Sequence, residues 1–481
     1  MTDRDNYTSP LSTRYASRAM RENFSDRARF RRWRELWIAL AESERELGLA
    51  ISAEQVAELR ATAADIDFDL ADKYERELRH DVMAHVHAWG DKAKLARPIL
   101  HLGATSCFVT DNADLLAFRE GLGLVRSQLV LVIAALREFA LKWKDEACLG
   151  LTHYQPAQAT TVGKRACLWL QDAVDDFADL EHALSMLRFR GVKGTTGTQA
   201  SFLELFGGDH AKVRELDQRV ARRMGFERVF GVTGQTYPRQ LDFRIAQALS
   251  SICQSAHKFA VDVRLASGRR ELEEPFESKQ IGSSAMPWKR NPMRSERICA
   301  LSRFVIEALG NTAHTAANQW FERTLDDSAN RRLALSEMFL ATDAVLNLWL
   351  NVAGGLVVHP AIVRRVLEEE LPFLASEHLM MEAVKSGADR QDVHERLRVL
   401  AREASEAIGR GERNPLRALI ERDAAFAAVR GRLGELLEPS RYVGRAPQQV
   451  VEFVAEEVDP LLARHRALLD SARGSRGEVR V

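Results

Sequence analysis

Two long stretches without proline constrain this chain more than any other feature of its sequence. No proline occurs from Ala157 to Tyr237 or from Met293 to His359, and proline breaks helix interiors, so both stretches suit long helices. No run of alternating apolar and polar residues demands a sheet. We therefore predict an all-α protein whose middle forms a bundle of long helices. The helical spacing of apolar residues supports this, as in Leu122, Val125, Leu129, Val132, Ile133, Leu136, Phe139, Ala140 and Trp143.

The apolar stripes and the loop residues predict the domain organisation. The stripes are wide, so burial by more than one neighbour is expected, which suggests oligomerisation. Loop residues near 101–106 and 354–360 mark two boundaries. We predict a helical N-terminal domain (1–105), a central long-helix domain (106–358) and a C-terminal domain of shorter helices (359–481).

The composition excludes several classes of protein. Lys plus Arg and Asp plus Glu both number 68, so a strongly basic nucleic-acid binder is not expected. The longest aliphatic run, from Leu129 to Leu136, is too short to span a membrane. The polar N-terminus MTDRDNYTSP and the five scattered cysteines, without a CxxC pair, predict a cytoplasmic protein with neither a disulfide framework nor a zinc knuckle.

The segment KQIGSSAMPWKRNP, from Lys279 to Pro292, is the sharpest candidate for chemistry. Asn291 and Pro292 look like the N-cap and first residue of the next helix. Lys289 would then lie beside a helix N-terminus, where a cation and backbone N–H groups can hold an anion. A plain Gly/Ser/Pro loop between two helices explains the pattern equally well.

A second candidate is the histidine of LTHYQPAQATTVGKR. His153 precedes Pro156, at which we expect a helix to start. A histidine in such a loop is suited to general acid–base work. The alternative is a histidine that simply bonds a backbone carbonyl.

The segment RHDVMAHVH contains three histidines whose spacing disfavours a metal site. His80, His85 and His87 do not share one helix face well, and HExxH is absent. His80, flanked by Arg79 and Asp81, is the better candidate for contacting a polar substrate.

Two further segments are rich in arginine, and one is rich in glycine and threonine. FERTLDDSANRRL holds Arg323, Ser328, Arg331 and Arg332, which could clamp a phosphate, or could form a solvated turn between helices. RARFRRWRE, from Arg27 to Glu35, is expected to be the exposed face of an amphipathic helix. GVKGTTGTQAS is neither a P-loop nor a dinucleotide fingerprint.

One segment carries a family resemblance. GSSAMPWKRNP resembles the GSSxMPxKxNP signature of the fumarase/aspartase superfamily, which leaves argininosuccinate lyase, fumarase and aspartase open. Trp288 stands where Tyr or His is expected. Further segments, in order along residues 9–335, resemble the adenylosuccinate lyase family, most of all its animal branch: SPLSTRYAS, RHDVMAH, GATSCFVTDNADL, THYQPAQATTVGKR, GVKGTTGTQASFLELF, TGQTYPRQLD and NQWFERTLDDSANRR.

The resemblance implies a three-domain all-α fold and a homotetramer built on a twenty-helix core. Each active site would then draw segments from three subunits. The implied reaction is β-elimination of fumarate from adenylosuccinate and from SAICAR, with no metal and no organic cofactor. The implied partners are nucleotide substrates and other copies of the chain, with no nucleic acid and no membrane. The alternative is another fumarate-releasing lyase, such as argininosuccinate lyase.

The resemblance also implies residue roles. Ser283 would be the base and His153 the general acid, Lys289 and Asn291 would stabilise the developing carboxylate charge, and Glu296 would orient His153. The implied substrate-binding residues are Arg14, Tyr15, Arg79, His80, Asp81, Thr105, Ser106, Gln235, Arg297, Arg323, Ser328 and Arg332.

Overall fold

The computed structural model describes residues 5–473, and the fold is almost entirely helical. The N-terminal part packs its helices around three buried tryptophans, Trp33, Trp37 and Trp89. Ser17, Ser25 and Ser52 begin three of these helices, each accepting a hydrogen bond from a backbone N–H of the first turn. The helices are α1 (Arg18–Asn23), α2 (Asp26–Glu46), α3 (Ala53–Thr62), α4 (Phe68–Leu78) and α5 (Asp81–Lys92), preceded by a π-helical turn (Leu11–Tyr15).

The central region is a bundle of long helices, as the proline-free stretches predict. Leu129, Val132, Ile133 and Leu136 are completely buried, so the apolar stripe lies in the bundle core. The long helices are α6 (Ser106–Lys142), α7 (Val162–Met186), α10 (Gln240–Gly268), α11 (Met293–Ala317) and α12 (Asp326–Gly355), with the shorter α8 (Ala200–Leu205) and α9 (His210–Arg223) between them.

The all-α fold includes two small two-stranded sheets, and one of them matters for the site. Strands β1 (Ala147–Thr152) and β2 (Gln155–Thr161) form an antiparallel hairpin, and β3 (Leu272–Glu273) pairs with β4 (Val357–Val358). Pro156 therefore lies in a strand and does not start a helix. The hairpin lacks a clear alternating pattern because it is short and packs on the C-terminal helices.

The C-terminal part contains shorter helices and a second, smaller core from Leu371 to Leu437. Its last helices return to the bundle, where they pack on α6 and α7. The domain limits 1–105, 106–358 and 359–481 remain a prediction, and residues 474–481 lie outside the described part. The helices are α13 (Pro360–Leu374), α14 (Ser376–Lys385), α15 (Arg390–Gly409), α16 (Leu416–Arg422), α17 (Leu433–Leu436), α18 (Ala446–Phe453), α19 (Asp459–Arg464) and α20 (Arg466–Arg473).

Within residues 5–473, α12 alone is long and apolar enough to cross a membrane by length and composition. Of its most apolar window, 72% is buried inside the fold. That burial is what the central helix of a packed bundle requires.

Candidate active site

A cleft of about 660 Å³ lies where the first turns of α6 and α12 meet the N-terminal helices. It is lined mainly by arginines and carboxylates. A cleft with several guanidinium groups is suited to an anionic ligand. The cleft brings together seven of the predicted substrate-binding residues: Arg79, His80, Asp81, Ser106, Arg323, Ser328 and Arg332.

Two more predicted residues adjoin this cleft through side-chain contacts. Gln235 Nε2 donates a hydrogen bond to Thr105 Oγ1 at 3.3 Å, and the Cys107 thiol lies 3.6 Å from Gln235 Oε1. The loop holding Gln235 is fixed in turn, because its backbone N–H donates to the Glu322 carbonyl at 2.9 Å. Nine predicted residues thus form one group within one chain, which we call the cleft group.

Asp81 is paired with two arginines on one wall of the cleft. Its Oδ2 accepts a hydrogen bond from Arg332 Nη2 at 3.1 Å and lies 3.7 Å from Arg29. His80 caps α5, and Arg79 ends α4 in a left-handed conformation with φ 57°. A non-glycine residue in that conformation is strained, and such strain is typical of binding sites.

Arg29 is a cleft residue that the sequence reasoning missed. The prediction that the segment from Arg27 to Glu35 is an exposed helix face holds only for Arg27, Arg31 and Glu35. Arg32 and Arg34 are buried, and Arg29 lines the cleft above the Trp33 ring at 5.0 Å. The aromatic residues between the arginines were the available signal, since they mark the buried side of α2.

Arg331, a candidate for the phosphate clamp, lines the cleft, but its guanidinium nitrogens bond to the protein itself. Its Nε donates to Asp242 at 2.7 Å, and its Nη2 donates to the Tyr237 hydroxyl at 2.6 Å. Its Nη1 pairs with Asp114 at 3.0 Å. All three nitrogens are used inside the protein, so Arg331 is a structural residue. Arg323, Ser328 and Arg332 remain in the cleft.

A second group of predicted residues lies on the side of the bundle. The Arg297 guanidinium lies 5.3 Å from the centre of the Tyr15 ring, and that of Arg14 lies 5.9 Å from it. Arg297 Nη1 is buried without a hydrogen-bond partner among the described residues, which leaves a donor unsatisfied in this chain. We call Arg14, Tyr15 and Arg297 the side group.

The signature segment forms an exposed loop between β3 and α11. Ser283 Oγ accepts a hydrogen bond from the Met286 N–H at 3.1 Å, and Trp288 is 74% exposed. Asn291 does not cap the helix as expected, because its side chain donates to the Gly282 carbonyl at 2.8 Å. This bond closes the loop on itself and holds Ser283 and Lys289 in one compact segment.

The N-terminus of α11 is not available as an anion site. The buried Glu274 carboxylate accepts the backbone N–H groups of Arg294 and Ser295, both at 3.0 Å. Burial raises the pKa of Glu274, and these backbone hydrogen bonds partly offset the effect. The expectation that this helix end holds a ligand is therefore wrong, because a carboxylate distant along the sequence already occupies it.

His153 lies at the tip of the hairpin. His153 and Tyr154 have φ values of 55° and 60°, as in a type I′ turn, which normally favours Asn and Gly. His153 is exposed and makes no hydrogen bond or ion pair with any residue between 5 and 473. The alternative of a histidine that bonds a backbone carbonyl is thus not what the structure shows.

The predicted site residues do not form one site within one chain. Ser328, in the cleft, and Asn351, which accepts a hydrogen bond from Arg294 below the signature loop, both belong to α12, so they lie about 35 Å apart at about 1.5 Å per residue. The hairpin follows the C-terminal end of α6, a helix of 37 residues that begins at Ser106. At about 1.5 Å per residue, the two ends of α6 lie about 55 Å apart. The cleft group therefore lies far from Ser283, Lys289 and His153.

The three histidines of α5 and its cap do not converge on a metal. His85 stacks on Phe30 at 3.8 Å, and burial lowers its pKa to about 4, with Arg34 adding to the effect. His87 instead lies beside Tyr74. Among the residues described, no group of three or more His, Cys, Asp or Glu is placed to hold a metal ion.

Comparison with known proteins identifies relatives over nearly the full length. Residues 13–307 match the lyase family model, and residues 372–453 match that of the adenylosuccinate lyase C-terminus. The adenylosuccinate lyase of Saccharomyces cerevisiae is 50% identical, covering 96% of this chain and 97% of its own. That of Schistosoma mansoni is 46% identical, covering 98% of both.

Solved structures with little sequence similarity share the fold. The 3-carboxy-cis,cis-muconate lactonizing enzyme of Pseudomonas putida has a TM-score of 0.79 at 23% identity, covering 95% of this chain and 99% of its own. A fumarate lyase of Mesorhizobium has a TM-score of 0.76 at 23% identity, covering 98% and 100%. The predicted all-α fold of the fumarase/aspartase type is confirmed.

Proposed function

This chain belongs to the adenylosuccinate lyase family and is a lyase, and from that premise we propose that it releases fumarate from adenylosuccinate, giving AMP, and from SAICAR, giving AICAR. The near full-length identity to adenylosuccinate lyases carries this proposal. Both reactions belong to purine nucleotide biosynthesis, which we propose as the pathway and the cytoplasm as the compartment.

The cleft group supplies what these substrates require. Each substrate carries a phosphate and two carboxylates, and Arg79, Arg323 and Arg332 line one cleft. Guanidinium groups bind phosphate and carboxylate oxygens with paired hydrogen bonds. Ser328, in the first turn of α12, offers a hydroxyl at the same place. We assign the phosphate to Arg323, Ser328 and Arg332.

The proposed reaction begins with removal of a proton from the carbon next to a carboxylate. Ser283 is the base in this mechanism. A serine hydroxyl is weakly acidic, so it needs positive charge and hydrogen-bond donors that favour its ionised form. The Met286 N–H on Ser283 Oγ is one such donor, and Lys289 of the same loop adds positive charge. Lys289 and Asn291 would stabilise the charge that develops on the substrate carboxylate.

Cleavage of the C–N bond then requires a proton on the leaving nitrogen. His153 is the proposed general acid, presented at the exposed tip of a strained hairpin turn. Glu296 is exposed in the first turn of α11, where we propose that it orients the His153 of another subunit. Proton transfer and electrostatics account for every step, so we propose no metal and no organic cofactor.

We propose that the active site is assembled from three subunits of a homotetramer. The cleft group from one chain would meet the side group and signature loop of a second chain and the hairpin of a third. The separations of about 35 and 55 Å along α12 and α6 support this, because no mononucleotide spans them. Two exposed aromatic residues, Trp288 in the signature loop and Phe321 before α12, are expected to be covered in the assembly.

The test is an ultraviolet assay of the purified protein with adenylosuccinate, in which chromatography identifies the fumarate released. Sedimentation gives the mass, and so the oligomeric state, of the same protein. Formation of fumarate and AMP by a tetrameric protein would support both the proposed reaction and the proposed assembly. A folded tetramer that leaves adenylosuccinate intact and cleaves argininosuccinate would refute the substrate assignment. An active monomer at working concentration would refute the shared site.

A further inference from the structure

At the floor of the cleft, buried charges join the N-terminal ends of three long helices. Asp111 belongs to α6, Arg239 precedes α10, and Asp327 lies in the first turn of α12. The side chains of Arg239 and Asp327 are each 1% exposed. Burying charges in this way is costly unless every partner is in place, so the arrangement calls for an explanation beyond packing.

Asp327 connects this buried cluster to the ligand space. Its carboxylate accepts two contacts from Arg323 Nη1, at 2.9 and 3.0 Å. Its Oδ2 also accepts a hydrogen bond from Arg239 Nε at 2.7 Å. Asp327 is therefore shared between a buried arginine and an arginine that lines the cleft.

Arg239 is in turn fixed from its other side. Its Nη1 and Nη2 donate to the two carboxylate oxygens of Asp111 at 3.1 and 3.0 Å. Burial acts to raise the pKa of Asp111, but Arg239 and Arg331 outweigh it, so that pKa lies below its ordinary value. Asp111 thus stays ionised, and Arg239 uses all its donor sides within the protein.

These contacts restrict the conformations that the Arg323 side chain can adopt. A long arginine side chain normally samples many rotamers, and a ligand that binds it must order it. Arg323 is held at Nη1 by a carboxylate that is itself immobilised, while its side chain lines the cleft and stays 23% exposed. This leaves a guanidinium that is ordered before an anion arrives.

We propose that Asp327 is a positioning residue that pre-orders Arg323 for the substrate phosphate, and that Arg239 holds Asp327 in place. The proposal rests on the proposed function, because it takes Arg323 as a phosphate-binding residue. Asp327 itself touches no substrate. Its removal should weaken binding of phosphate-bearing ligands much more than it slows the chemical step.

The test compares two buried carboxylates, one that bonds Arg323 and one that bonds Arg331. Asp327→Asn releases Arg323, whereas Asp242→Asn removes an equally buried carboxylate that bonds Arg331 and the Tyr237 hydroxyl. Asp327→Asn should raise the KM for adenylosuccinate and the inhibition constant of AMP at least about tenfold, with kcat nearly unchanged. Asp242→Asn should lower the melting temperature similarly and leave both constants near the wild-type values.

A folded Asp327→Asn protein with wild-type KM would overturn the proposal, as would an equal KM rise in both variants. If Asp327→Asn does not fold, Arg239→Lys replaces it, since lysine keeps the charge but cannot bridge Asp327 and Asp111 with a planar fork. A raised KM with retained kcat supports the proposal there, and an unchanged KM overturns it. Wild-type turnover of adenylosuccinate is measured alongside, so failure of the proposed function is seen separately.

Discussion

Mixing two inactive variants should restore activity if the active site is shared between chains. Arg323→Ala damages the cleft group, and Ser283→Ala damages the signature loop. The cleft and the base of that loop lie about 35 Å apart along α12. A complete site in a mixed tetramer therefore takes its cleft from a Ser283→Ala chain and its loop from an Arg323→Ala chain.

The expected recovery follows from random assembly. In an equal mixture, half of the clefts and half of the loops are intact, so about one quarter of the sites are complete in a symmetric oligomer with shared sites. Arg323→Ala alone loses hydrogen bonds to a charged group, about 1.5–3 kcal/mol, and so keeps roughly 1–10% of the wild-type kcat/KM. Ser283→Ala alone should keep about 1% or less.

The assay mixes the variants after reversible dissociation, or co-expresses them with different tags, and measures fumarate release at low substrate concentration. The matched control is Arg323→Ala mixed with Arg332→Ala. Both residues belong to the same cleft, so no chain in that mixture has an intact one and activity should stay low. If the first mixture is no more active than the mean of Arg323→Ala alone and Ser283→Ala alone, the shared site is refuted.

Three further predictions follow from the site and from buried groups. Ser283→Ala and His153→Ala should each lower kcat by at least about a hundredfold, with unchanged circular dichroism; near-normal turnover in either variant would contradict its role. Prolonged EDTA treatment should leave activity intact, and a loss reversed by a metal would show that the cofactor prediction is wrong. Burial raises the pKa of Glu44 to about 9, and neither of its carboxyl oxygens has a hydrogen-bond partner in the described part. In the unfolded chain the ordinary pKa of this group is 4.5. Between these two pH values the Glu44 carboxyl is protonated in the folded protein and ionised in the unfolded chain. The free energy of unfolding should therefore fall as pH rises towards 9, by up to about 4 kcal/mol near pH 7.4. Denaturant titrations from pH 5 to 8 should show this fall in the wild type and not in Glu44→Gln. The same dependence of the unfolding free energy on pH in both proteins would rule Glu44 out as its source.

The sequence predicted the long central helices well. The long helices follow from the apolar spacing and the missing prolines, because helix formation depends on residues three and four apart. Motif segments also supplied nine residues that the structure places around one cleft. Their catalytic and binding roles remain predictions.

The errors share one physical cause, which is the contact between residues distant along the chain. Asn291 looked like a helix cap, but Gly282 takes its side chain and Glu274 occupies the helix end. Arg331 looked like a phosphate ligand, but Asp242 and Asp114 hold it inside. Local patterns state which groups are present and not which partner each will find.

What the sequence determined by itself was the helical class, the family and which residue types its motifs offer as candidate site groups, since these depend on residue type and short-range spacing. Tertiary structure alone decided that these groups divide among a cleft, a side surface, a loop and a hairpin tip. It also placed Asp327 between Arg239 and Arg323, whose sequence positions differ widely. Such a division is set by how the long helices pack, because their length separates residues that one reaction requires together.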